Sequence, residues 1–185
     1  MKTLALDIGN VCVKIDFANF ARTLGVKTIP KKLISLQQQM ECGKLPAEEF
    51  IRQTGRTFAL PEARCLEAFN AILLHPVPGM SELVNSLPQM GITPVFFSDI
   101  STLHLARTRE LFPAEATVKD GIYSFTSGGQ KPSALMFDAF ESRFGQPLLY
   151  VDDRMELIAA AKKRNWPALV FTSAEELKQA LLQIL

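Results

Sequence analysis

The chain has 185 residues, 48% of them hydrophobic, enough to bury one full core and leave room for a modest extra subdomain. Its 20 Lys and Arg against 19 Asp and Glu give a formal net charge of +1, so no bulk field draws it to nucleic acid or an anionic membrane, and any anionic ligand must be caught locally. The apolar stretch before Asp7 is too short for a secretory signal, no run reaches the ~18 apolar residues of a membrane span, and Cys12, Cys42 and Cys65 lack C-x-x-C spacing, so a cytoplasmic chain with three free thiols is expected.

In chain order, the first apolar run is Thr3–Leu6, which reads as a buried strand that stops at Asp7. From about Phe17 to His75 the pattern carries no convincing strand. Amphipathic pieces such as KKLISLQQQMECG and PAEEFIRQTGRTF predict a small helical insert there. HPVPG, His75 to Gly79, marks a rigid return to the main domain. A helix is predicted over Gly79–Gln89, a strand over Val95–Phe97, and a weaker strand over Ala116–Val118. Ser133–Phe144 reads as a helix, Leu148–Val151 as a strand, Glu156–Asn165 as a helix and Ala168–Phe171 as a last strand. Strands alternating with helices of this length predict an α/β fold, a Rossmann-like doubly wound parallel sheet. Residues 1–16 and 76–185 would form the core domain and 17–75 the inserted helical unit.

Asp7, Ser98 with Asp99, and Asp152 with Asp153 each follow an apolar run directly. In an open parallel sheet, ligands bind outside the carboxyl ends of the strands, so these groups should converge. Taken singly, each is equally consistent with an ordinary strand-end or helix-cap polar residue. Lys131 precedes a proline that the pattern takes as the opening of a helix, and a cation beside a positive helix end makes an anion site. A carboxylate, a hydroxyl, a lysine and an acidic pair together suit attack on a phosphoryl group. The carboxylate serves as nucleophile, and the lysine and a divalent cation neutralise charge. Mg²⁺ suits such oxygen ligands.

The order LALDIGNV, PGMSELVNSLPQMGITPVFFSDI, IYSFTSGGQKPSALMFDAF, LLYVDDRMELIAAAKKRNW resembles the haloacid dehalogenase superfamily, in particular its phosphatases with a small helical cap and a D-x-G-N-V opening. The resemblance implies a Mg²⁺-dependent hydrolase acting on a small phosphorylated metabolite, a sugar phosphate or nucleotide, through an aspartyl-phosphate intermediate. It implies Asp7 as nucleophile, Ser98 and Lys131 as catalytic and phosphate-binding groups, and Asn10 and Asp99 at the substrate. Asp7, the Gly9 carbonyl, Asp152 and Asp153 would hold the metal, and Asn10 would meet the phosphate through its backbone N–H. Receiver domains use the same residue types, but their acidic pair follows the first strand, and here it comes late.

Gly9 departs from the pattern: the phosphatases carry a second aspartate there, which protonates the leaving alcohol. Three readings follow: a phosphatase whose acid is Asp16, Asp99 or Glu41; a 2-haloacid dehalogenase, whose leaving halide needs no proton but whose relatives lack the acidic pair; or a degenerate member that binds a phosphorylated ligand or a partner. Glu156 stands where the family often has Asp and would reach the lysine or the metal's waters. His75 and His104 read as turn and surface residues, Trp166 as core, and Lys162–Arg164 as a solvated helix end.

Overall fold

The computed structural model describes residues 2–185. In chain order it contains β1 (Lys2–Leu6), β2 (Val13–Ile15), α1 (Ala18–Leu24), α2 (Lys31–Glu41), α3 (Ala47–Phe58), α4 (Glu62–Asn70), β3 (Leu73–Pro76), α5 (Met80–Ser86), β4 (Ile92–Ser98) and α6 (Thr102–Leu111). There follow β5 (Gly121–Tyr123), α7 (Ser124–Ser127), α8 (Ala134–Phe144), β6 (Leu149–Asp152), α9 (Met155–Lys163), β7 (Ala168–Val170) and α10 (Ala174–Ile184). Among the described residues no helix is long and apolar enough to cross a membrane.

β1 occupies the middle of a five-stranded sheet of order β5-β4-β1-β6-β7, in parallel register with β4 (Leu6 opposite Phe96) and with β6 (Leu6 opposite Val151). Thr3 to Leu6 are wholly buried, as a strand covered on both faces must be, which is why the run is continuously apolar rather than alternating. Side chains still alternate by face. Leu4, Leu6, Phe96 and Val151 pack into one core. Ala5, Val95, Phe97 and Tyr150 face the other, where Phe97 meets Phe140 at 5.4 Å and Trp166 at 5.6 Å. Trp166 is buried there and donates its indole N–H to Glu141 at 2.7 Å. The chain leaves β1 toward β4 and β5 and returns to β6 on the other side, so the sheet's switch point lies between β1 and β6.

Four helices, α1 to α4, stand on a stem made by β2 and β3, an antiparallel ribbon pairing Val13 with Pro76 and Ile15 with Leu73. Phe20, Phe50 and Phe69 cluster inside them, with centroids 5.0–6.4 Å apart. The strand at Leu73–Pro76 corrects the expectation that 17–75 holds none. Four residues that end in a proline are too short to show a period.

The structure departs from expectation at other places too. Ala116–Val118 is not a strand; Glu115–Thr117 is a 3-10 turn, and the edge strand is Gly121–Tyr123, with Gly121 opposite Phe96. Both are short apolar runs, and only pairing to β4 tells them apart. The helix after Lys131 starts at Ala134 with Ser133 as N-cap, so Pro132 lies in the preceding turn rather than in the helix. Helices α6 and α10, which the pattern did not single out, start at Ser101 and Ser173, whose hydroxyls accept from the N–H groups of His104 and Glu176. His104 is buried, not on the surface: its ring stacks on Phe69 at 3.9 Å and its Nε2 lies 3.0 Å from the Phe69 carbonyl. His75 is exposed. Lys162 and Lys163 are solvated, whereas Arg164 is half-buried against Asp138 and Glu141.

Candidate active site

Asp7 is the residue at which β1 ceases to be a strand. Its N–H still donates to the Val151 carbonyl at 3.0 Å, so the ladder holds its backbone while the side chain emerges at the sheet end. Ser98 Oγ donates to Asp7 Oδ1 at 2.8 Å, and Lys131 Nζ donates to the same oxygen at 3.0 Å. Lys131 also donates to the Phe97 carbonyl at 2.9 Å and to Asp152 Oδ2 at 2.7 Å, which uses all three ammonium protons. The lysine is thus sunk beneath the site, 5% exposed, and its role there owes nothing to a helix end. Asp152 is fully buried and also accepts from the Tyr150 hydroxyl and, at 2.9 Å, from the Arg154 N–H.

Burial pushes the Asp7 carboxyl up to about 6, against the pull of Lys131, with Asp152 pushing the same way and the bonds from Ser98 and Lys131 opposing. For Lys131, burial works against the charge, but Asp7, Tyr150, Asp152 and Asp99 outweigh it and hold the ammonium well above its usual range. One ammonium thus lies between two carboxylates.

Ligand oxygens of Asp7, Asp152 and Asp153 lie within 4.8 Å of one another. Three carboxylates against one contacting lysine leave an excess of negative charge on hard oxygen donors, and a small divalent cation fits that donor set. Asn10, at φ +56°, donates from Nδ2 to Asp153 Oδ2 at 2.9 Å and fixes the third carboxylate against the β1 loop. The Asn10 N–H is already given to the Val13 carbonyl at 2.7 Å, so the expected backbone contact to a phosphate is not available as the loop stands.

Asp7, Asn10, Ser98, Lys131 and Asp153 line a cavity of about 320 Å³ that also takes in Gly9, Asp99, Gln130, Arg154 and, from the end of α2, Glu41, with Asp152 buried behind it. Asp99 Oδ1 accepts the Lys131 N–H at 2.8 Å and so braces the lysine's turn rather than standing free. Asp16 does not join the site; its carboxylate caps Ala18 and meets Arg22, both exposed. Glu156 pairs with Arg154 at 2.8 Å in solvent and reaches neither lysine nor metal group. Three groups escaped the sequence reading: Tyr150, Gln130 and Arg154. Each lies within two residues of a named one, but only the fold shows that Tyr150 meets Asp152, that Gln130 meets Glu41 and that Arg154 stands at the cavity wall.

No protein-family model matches the chain, and no curated protein matches it. Solved structures do. A HAD family enzyme of Bacteroides thetaiotaomicron, in its magnesium complex, aligns over 97% of this chain and 98% of its own with TM-score 0.83 and 17% identity. The fold is that of the haloacid dehalogenase-like enzymes. A protein of Porphyromonas gingivalis, assigned by prediction as a HAD-like family hydrolase, aligns over 100% of this chain and 97% of its own with TM-score 0.81 and 18% identity. A structure described as a dehalogenase aligns over 91% and 83% with TM-score 0.61 and 14% identity.

Proposed function

We propose that this chain is a Mg²⁺-dependent phosphatase that hydrolyses a small phosphate monoester through an aspartyl-phosphate on Asp7. The observation that carries this reading is the division of labour at Asp7. Ser98 and Lys131 both bind Oδ1, while Oδ2 accepts no protein hydrogen bond among the described residues and is left for attack at phosphorus. Lys131 holds the nucleophile against Asp152, and Ser98 can turn its proton to a phosphoryl oxygen once substrate enters. Asp99 keeps the lysine's backbone in place, and Asn10 orients Asp153. Asp7, Asp152, Asp153 and the Gly9 carbonyl would hold Mg²⁺, whose contribution is neutralisation of the phosphoryl charge. The same B. thetaiotaomicron enzyme has a structure in complex with magnesium and inorganic phosphate, which supports carrying this chemistry over.

In this reading residues 1–16 and 76–185 are the catalytic core and 17–75 a cap that closes over the substrate and excludes water. The 320 Å³ cavity suits a small ester. The dehalogenase reading is disfavoured by the three clustered carboxylates. The test is hydrolysis of p-nitrophenyl phosphate with Mg²⁺, with chelator and with Asp7→Asn. Activity lost under both controls is expected. Activity surviving Asp7→Asn would end the covalent reading, and no activity at all would favour a binding protein.

A further inference from the structure

A phosphatase of this design must protonate its leaving alcohol, and Gly9 has no side chain with which to do so. Of the carboxyls that could substitute, Asp16 and Glu156 face solvent, and Asp99 is carried next to Ser98 on the phosphate-binding side, with Oδ1 accepting the Lys131 N–H. Neither histidine lines the cavity. Glu41 remains. It is the last residue of α2, it belongs to the helical insert rather than the sheet, and it lines the cavity that holds Asp7. In an in-line displacement the leaving oxygen lies on the side of phosphorus away from the nucleophile, so an acid carried by the insert that lines the same cavity can reach it as well as one on the β1 loop.

A second cavity of about 530 Å³ lies against the first and shares Phe17, Glu41 and Gln130 with it; its other walls include Phe20, Ile29 and Ile34. Glu41 therefore stands where the cavity that holds Asp7 meets a more apolar one. That is where the bridging oxygen of an ester with an apolar alcohol would sit.

We infer that Glu41 is the proton donor to the leaving oxygen, in place of the side chain that Gly9 lacks; this rests on the phosphatase reading. Its carboxyl is held by two neutral amides, Gln37 Nε2 and Gln130 Nε2, each at 2.8 Å, and by no ion pair among the described residues. Gly43 lets the end of α2 approach the core: a Cβ there would lie 2.2 Å from the Phe125 carbonyl, and φ is +68°. Burial raises the Glu41 carboxyl to about 7, the bonds from the two glutamines oppose, and Asp99 adds to the rise. Asp7, Asp99, Asp153, Lys131 and Arg154 are the charged groups that share its cavity.

In the step, Asp7 forms a bond to phosphorus as the bond from phosphorus to the bridging oxygen breaks. That oxygen keeps the electron pair and takes the Glu41 proton. The Glu41 carboxylate then takes a proton from water as the water oxygen attacks phosphorus, and the bond to Asp7 breaks with its pair returning to the carboxylate. The products are alcohol and phosphate, with both side chains restored.

The test compares wild type with Glu41→Gln on hexyl phosphate, whose alkoxide is a poor leaving group, and on p-nitrophenyl phosphate, whose leaving group needs little protonation. The variant should lower kcat/KM, which reports departure of the alcohol and not the shared hydrolysis of the aspartyl-phosphate, about 100-fold on hexyl phosphate and at least about tenfold less on p-nitrophenyl phosphate. The wild-type rate on hexyl phosphate should fall above pH ~7 as the acid ionises, and the variant should lack that limb. Equal losses on both esters would make Glu41 a latch between insert and core and overturn the inference. So would wild-type turnover of the aryl ester alone. Silence of the wild type on both esters defeats the phosphatase reading itself, and the inference with it. Should the variant fail to fold, the wild-type rates over a series of leaving alcohols decide: a shallow dependence supports a proton donor and a steep one refutes it.

Discussion

Lowering the pH should loosen the helical insert from the core through His104. This side chain, from α6, is 6% exposed, stacks on Phe69 of α4 and bonds that residue's carbonyl, so it ties the two halves of the molecule. Burial lowers its pKa from 6.5 to about 4, and the bond to Phe69 only partly opposes this. The depressed value fixes the sign. Above pH 6.5 the ring is neutral in both states; below it the unfolded chain takes up a proton that the folded one refuses until about pH 4. Stability is therefore full above 6.5 and falls across the window down to 4. At about 1.4 kcal/mol per pH unit that window is worth about 3 kcal/mol, or roughly 6–12 °C in Tm for a chain of this size. The assay is thermal melting of wild type and His104→Gln at pH 7.5 and pH 4.5. Other groups shift both proteins alike, so their Tm difference should shrink by most of that amount at the lower pH. A difference that stays constant would show that the ring is not held neutral, and the reasoning would fail.

Lys131→Met removes the ammonium held between Asp7 and Asp152 and should cost about 3–5 kcal/mol in denaturant unfolding as well as all p-nitrophenyl phosphate turnover; near-native stability would refute the account of the lysine as the site's keystone charge. Gly9→Asp should restore hexyl phosphate turnover in the Glu41→Gln background, because a Cβ at position 9 lies 3.8 Å from Asp7 Oδ2 and its one tight contact, 3.0 Å, is with the flexible tip of Ile15; no recovery, even with Ile15→Val to make room, would count against a missing acid. Gly43→Ala should lower stability by more than about 1 kcal/mol in thermal melts, since φ is positive and the Phe125 carbonyl blocks the methyl, and an unchanged Tm would show that this contact is soft.

The parts of this molecule that could be read from sequence are those where burial forces composition. A central parallel strand must be apolar throughout, so a carboxylate can stand only at its end; this made Asp7 and Asp152 visible, and parallel pairing then brings them together without further information. Ser98, at the end of β4, was legible for the same reason, whereas Lys131 was singled out by the proline beside it and by the family resemblance, and the helix end expected there did not hold. What could not be read depends on pairings that leave little trace in three or four residues. Val13–Ile15 and Leu73–Pro76 are strands only because they meet each other, and Gly121–Tyr123 displaces Ala116–Val118 because it, not its neighbour, reaches β4. His104 looked like a surface residue because its i, i+4 surroundings on α6 are polar, while its burial comes from Phe69, 35 positions away. Glu41 marks the boundary between the two kinds of knowledge. The need for an acid follows from one glycine, and several carboxyls could have met it. The choice among them turns on which helix end faces the cavity, and that is set by the packing of α2 against α7 at Gly43, a contact between residues that are unremarkable when read alone.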